Sequence, residues 1–133
     1  MRVLDATFLI DYLGGEPDTE AYYRSNGAQE ELWVMPVPAY AEAIVGVGNA
    51  PTADVHEAVK ALAWGEVFDI DEALAVEAGQ IANEIGVEGP YLDGVDALVA
   101  AVGRKLDAPV VSADGDLTHE ETMQVVDVEQ YRE

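Results

Sequence analysis

The chain of 133 residues carries 27 Asp plus Glu against 6 Lys plus Arg, a formal net charge of −21 at pH 7, which excludes any function that rests on a broad basic surface. The absence of Cys and the presence of only 2 His exclude disulfides, a thiolate nucleophile, a cysteine-ligated zinc site and a His-rich metal site. Half of the residues are apolar, and domains cluster at about 100–150 residues, so residues 1–133 are read as one compact domain.

Met1-Arg2-Val3-Leu4-Asp5 meets an acid before an apolar h-region can form, so no secretory leader is read there. No apolar run approaches the roughly 20 residues of a bilayer span, and a soluble cytoplasmic protein with no membrane contact is expected. Val3-Leu4 reads as a short buried strand running into a helix that carries Phe8, Leu9, Tyr12 and Leu13 and closes at Gly14-Gly15. A second helix is expected over Asp18 to Asn26, ended by Gly27, then a strand over Leu32 to Met35 bounded by Pro36. Pro38 opens a helix through about Val47, proline being favoured at the first helical position. Gly46 to Pro51 reads as a loop, and Thr52 as the cap of a helix bearing Val55, Val59, Leu62 and Ala63 up to Gly65.

Val67 to Ile70 is the third strand candidate. Asp71 caps a helix over Glu72 to about Ile85, on which Leu74, Ala78, Ile81 and Ile85 keep helical spacing, and Gly86 to Pro90 breaks it. Asp93 opens a long helix through about Leu106; Pro109 to Ser112 is a Val-rich strand; Asp114-Gly115-Asp116 is a turn; Val125-Val126 is a last edge strand. Short apolar strands alternating with helices predict an α/β fold of three layers, a central, mainly parallel sheet of about five strands with helices on both faces.

In such sheets ligands bind beyond the carboxyl ends of the strands. Asp5 follows the first strand and Asp114 the fourth. Glu42 lies among apolar and small residues, Ala39-Tyr40-Ala41 and Ala43-Ile44-Val45, where a buried charge needs a cation, a metal or a raised pKa. A solvated helix face is the other reading. Asp96 heads an apolar run and stands as a catalytic acid or as the third helical residue of a capping box begun by Asp93. Asp114 also has a plain turn reading.

Four carboxylates meeting in one crevice repel, and the few cations cannot answer each of them. A divalent ion resolves this: Mg²⁺ and Mn²⁺ take oxygen ligands and support in-line phosphoryl displacement, so phosphodiester hydrolysis is expected. His56 and His119 sit in polar contexts and are read as exposed. Gly46-Val47-Gly48 follows a helix rather than a strand, and Asp114 to His119 lacks the glycine of a calcium loop, so neither is read as a site. A haloacid-dehalogenase-like phosphatase requires an acid where Thr7 stands.

Leu4-Asp5-Ala6-Thr7-Phe8-Leu9-Ile10-Asp11-Tyr12-Leu13, the isolated Glu42, Asp96-Ala97-Leu98-Val99-Ala100-Ala101 and Val111-Ser112-Ala113-Asp114-Gly115-Asp116-Leu117 together resemble the PIN-domain ribonucleases, and in length the VapC-type toxins of toxin–antitoxin pairs. The resemblance implies a PIN fold and matches Asp5, Glu42, Asp96 and Asp114 to the family's acidic, metal-binding quartet. It makes Thr7 a residue that orients a carboxylate or water, and Asp116, with Ser112, a supporting group. Asp11 is read as solvent-exposed. It further implies an Mg²⁺- or Mn²⁺-dependent endoribonuclease, a homodimer, an RNA substrate and a cognate antitoxin. A catalytically silent PIN-like binding module and a PIN nuclease of RNA processing are the alternatives.

Only Arg2, Arg24, Lys60, Arg104, Lys105 and Arg132 are available to hold phosphate. Arg104-Lys105 is read as answering a helix dipole, and Trp33 and Trp64 as core residues before base-stacking ones. The acidity is read as adaptation to a salt-rich cytoplasm, as in a halophilic archaeon, where the Debye length falls to roughly 3 Å near 1 M salt.

Overall fold

The computed structural model describes residues 1–133. The elements are β1 (Arg2–Leu4), α1 (Ala6–Leu13), α2 (Pro17–Ser25), a 3-10 turn (Ala28–Glu30), β2 (Trp33–Pro36), α3 (Val37–Asn49), α4 (Val55–Ala61), β3 (Glu66–Phe68), α5 (Glu72–Ile85), α6 (Gly94–Leu106), β4 (Val110–Ser112), α7 (Glu120–Met123) and β5 (Val128–Gln130). The strands form one five-stranded sheet in the order β3-β2-β1-β4-β5, every pairing parallel. Val3 pairs with Val34 on one side and Val110 on the other, so the first strand is central. Buried on both faces, the inner strands read as unbroken apolar runs: Trp33 to Pro36 and Val110 to Ser112 are buried throughout.

Helices cover both faces in a three-layer α/β arrangement, and Phe8, Leu9, Ile81, Val99 and Val102 are fully buried. The chain progresses outward from β1 through β2 to β3, then returns across the sheet to β4 on the other side of β1. The order therefore reverses between β1 and β4, and the ends of those two strands flank the switch point at which open parallel sheets bind ligands.

Three expected local features differ. The cap of α4 is Asp54, whose carboxylate accepts from the His56 and Glu57 N–H groups, not Thr52. Helix α3 continues through Gly46 and Gly48 to Asn49, because Val47 and its neighbours extend the turn despite low glycine propensity. The last strand is Val128–Gln130 rather than Val125-Val126, which follow the single-turn α7 that the sequence reading lacked. Val126 is buried, and its apolar character reports packing rather than pairing.

Candidate active site

Asp5 ends β1 and caps α1: its Oδ1 accepts the Phe8 N–H at 3.1 Å. The side chain is 1 % exposed. Thr7 Oγ1 donates to Asp5 Oδ1 at 2.7 Å and accepts the Ala113 N–H at 3.1 Å. Ser112 Oγ donates to Asp5 Oδ2 and accepts the Asp114 N–H at 2.9 Å. Two hydroxyls thus tie the end of β1 to the backbone beyond β4. A carboxylate has about four acceptor positions. Three are used, which leaves one lone pair, on Oδ2.

Asp114 caps its own turn as the plain reading held, with Oδ2 accepting from the Asp116 N–H at 3.0 Å and the Leu117 N–H at 3.1 Å. Its Oδ1 has no protein partner. Asp96 is the third residue of α6, and its N–H donates to Asp93 Oδ1 at 2.8 Å. The capping reading therefore holds for the backbone of Asp96. Its carboxylate, however, is left without a hydrogen bond or a cation. Carboxylate oxygens of Asp96, Asp114 and Asp116 lie within 4.8 Å of one another. Asp116 thus stands in the closest acidic group, nearer its centre than the supporting role expected for it.

Burial raises Asp5 from 3.8 to about 6 against the hydroxyl and N–H donors, with Asp114 adding to the rise. Burial raises Asp96 from 3.8 to about 7, reinforced by Asp114, Asp93, Asp5 and Glu42 in that order. Four acids thus add to the rise of Asp96, and no Lys or Arg opposes them there.

Glu42 departs from the buried-charge expectation. It lies on the exposed face of α3 with Ala41 and Val45, and no hydrogen bond or ion pair holds it. Its helix shows the protein side only at every third or fourth residue, Ala39 and Ala43, so an apolar sequence context did not mean an apolar environment. It is nonetheless near enough to raise Asp96.

Asp11 also departs, being half-buried. Its Oδ2 accepts from the Tyr131 hydroxyl and from Arg132 Nε, both at 2.6 Å, which clips the C-terminus to α1. Partners 120 residues apart left no local signal. Arg104 pairs with Glu77 and Glu84 of α5 rather than serving the helix dipole alone. Trp33 is buried as read, and His56 and His119 are exposed. None of Asp5, Glu42, Asp96, Asp114 and Asp116 lines the surface hollows along α5 and α6, over α1 and α2, or beside the 3-10 turn.

A family profile for the PIN domain matches residues 2–120. The chain belongs to the PIN domain family. The PIN domain is a nuclease fold, and the parallel sheet with acids at its β1–β4 switch point is this chain's version of it. No curated protein matches the chain by sequence.

Among solved structures, a toxin–antitoxin complex from Klebsiella pneumoniae is similar to this PIN domain with a TM-score of 0.79 at 15 % identity, covering 100 % of this chain and 99 % of that one. FitAcB from Neisseria gonorrhoeae gives 0.79 at 20 %, covering 98 % of each chain. VapC20 of Mycobacterium tuberculosis, a sarcin-ricin-loop-cleaving toxin, gives 0.67 at 18 %, covering 89 % of this chain and 93 % of that one. At such identities the likeness is one of fold. No helix of the PIN domain is long and apolar enough to cross a membrane.

Proposed function

We propose that this PIN domain is a divalent-cation-dependent endoribonuclease and the toxin of a toxin–antitoxin pair. The observation that carries the reading is the gathering of Asp96, Asp114 and Asp116 within 4.8 Å, with Asp5 tied to the Asp114 turn through Thr7 and Ser112 and no Lys or Arg paired with any of them. The donor set fits Mg²⁺ or Mn²⁺: it is all oxygen, it is anionic, and unshared lone pairs remain on Asp96, on Asp116, on Asp114 Oδ1 and on Asp5 Oδ2. When bound, such an ion supplies charge neutralisation at a phosphodiester and lowers the pKa of water.

The chain's own residues prepare that chemistry. Thr7 and Ser112 hold the Asp5 carboxylate in one orientation and fix it to the Asp114 turn. The first turn of α6, with its N–H groups pointing outward, partly offsets the charge of Asp96. Glu42, exposed on α3 and near enough to raise Asp96, is the fourth acid of the quartet that the family resemblance implies.

The likeness to solved toxin–antitoxin structures supports an antitoxin partner; an RNA substrate and a homodimer are what the family resemblance implies, and the cytoplasm is the compartment that suits them. The charge of −21 is read as adaptation to a salt-rich, halophilic cytoplasm, where screening permits an acidic protein to approach RNA. The purified protein should cut RNA with Mn²⁺ or Mg²⁺ in molar KCl, and Asp96→Asn or Asp114→Asn should abolish the cut. Cleavage that persists in both variants, or in excess chelator, removes the mechanism.

A further inference from the structure

Five of the six Lys and Arg residues of this chain are already engaged. Arg2 pairs with Glu31, Arg24 with Glu20, Lys60 with Glu57, Arg104 with Glu77 and Glu84, and Arg132 with Asp11. Lys105 alone has no acidic partner. It sits in the last turn of α6, whereas Asp96 is in the first, a separation of about 13 Å at 1.5 Å per residue. A strand lying at the acids therefore meets no free Lys or Arg, and a contact of another kind must position it.

One side chain just ahead of α6, the helix whose first turn carries Asp96, is suited to that. Tyr91 is 94 % exposed, while every other aromatic is buried or packed against the core. Tyr91 precedes the α6 cap Asp93 by two residues, so its Cα lies within about 7 Å of that of Asp93.

The loop that carries the ring is anchored at both ends. It leaves α5 through Gly86 at φ +74°, and Gly89 is wedged so tightly that a Cβ there would stand 2.3 Å from Ile85 Cγ2 and 3.1 Å from Glu121 Cβ. Glu121 belongs to α7, the helix that follows the Asp114–Asp116 turn. The loop thus rests on the helix that follows the turn carrying two of the acids, and Pro90 restricts the backbone next to Tyr91. An uncovered phenol ring two residues ahead of the α6 cap offers a π-face and no charge.

We propose that Tyr91 is the substrate-positioning residue of this site, stacking on an unpaired base of the RNA strand whose phosphate lies at the acids. The reading rests on the nuclease function above and requires an unstacked base within reach of the ring. A duplex, with its bases stacked on one another, offers no free face.

Tyr91→Ala, Tyr91→Phe and Tyr91→Trp are compared with the unaltered protein in molar KCl with Mn²⁺, on a loop-containing RNA and on its fully paired counterpart. The Ala variant should raise KM for the loop RNA about ten-fold with little change in kcat, and Phe and Trp should retain the original KM. The emission of the Trp variant, less that of Trp33 and Trp64, should also be quenched by a short unstructured oligoribonucleotide in chelator.

An unchanged KM in the Ala variant, in protein that cleaves RNA, overturns the stacking role and leaves the nuclease reading standing. Protein that cleaves no RNA while the Trp variant is still quenched overturns the nuclease reading and keeps Tyr91 as an RNA contact. Unchanged cleavage by the Ala variant with weakened inhibition by a protein antitoxin gives the ring to that partner and also overturns the proposal.

Discussion

Asp5→Asn separates what the first acid costs from what it does. The Asp5 carboxyl is 1 % exposed and titrates near 6 rather than at 3.8. At about 1.36 kcal/mol per pH unit, keeping it ionised in the folded, metal-free protein costs about 3 kcal/mol at neutral pH. The sign follows from the direction: a raised carboxyl pKa contributes stability that is full below 3.8 and lost as pH rises through about 6. Asparagine keeps an oxygen for the Thr7 hydroxyl and the Phe8 N–H and turns its amide toward Ser112 Oγ, which can accept.

In chelator, the variant should therefore exceed the unaltered protein in stability by up to about 3 kcal/mol at about pH 8, a Tm gain of roughly 10 °C for a chain of this size. The two should converge near about pH 3.5. Thermal unfolding by circular dichroism across that range is the assay. The difference between the two curves cancels Asp96 and the other acids to first order. A variant that is less stable at high pH, or a difference that does not change with pH, refutes the reasoning, and RNA cleavage should be lost in the variant whatever its stability.

Thr7→Val removes the hydroxyl that joins Asp5 to the Ala113 N–H, and urea unfolding should show a loss of about 1 kcal/mol because two part-buried hydrogen bonds are lost. Gly103→Ala brings a Cβ to 2.6 Å from Val110 Cγ2 and 3.2 Å from the Ala108 carbonyl, both at the back of β4, so a loss of about 1–3 kcal/mol is expected from the same measurement. With 27 acids against 6 cations, the unfolding midpoint should rise as KCl goes from about 0.1 to 3 M; a flat or falling midpoint removes the salt-adaptation reading.

Much of this was legible in the sequence because the signals were local. Asp71 and Asp93 stand immediately before apolar helical patterns, and both cap their helices. Val3-Leu4 and Val110–Ser112 are short, apolar and followed by an acid, and both end at the switch point. Strand ends alone thus put Asp5 and Asp114 toward one crevice, while the pairing of β1 with β4 that joins them is visible only in the structure.

What stayed hidden depended on partners far along the chain or on helix rotation. The composition around Glu42 resembled a core because Ala and Gly are small enough for either face, so only the α3 orientation revealed its exposure. The Asp11 clip needed Tyr131 and Arg132. The place of Asp116 in the closest acidic group depended on a turn geometry that Asp114 sets by capping the Asp116 and Leu117 N–H groups.

The central claim is that acids from β1, β4 and α6 form one divalent-cation site. Crystals soaked in millimolar Mn²⁺ test it directly through anomalous scattering. The expected map has a manganese peak touching Asp96 and Asp114, with Asp5 or Asp116 in reach. A peak held by other acids, or none among these residues at full soak, contradicts the account.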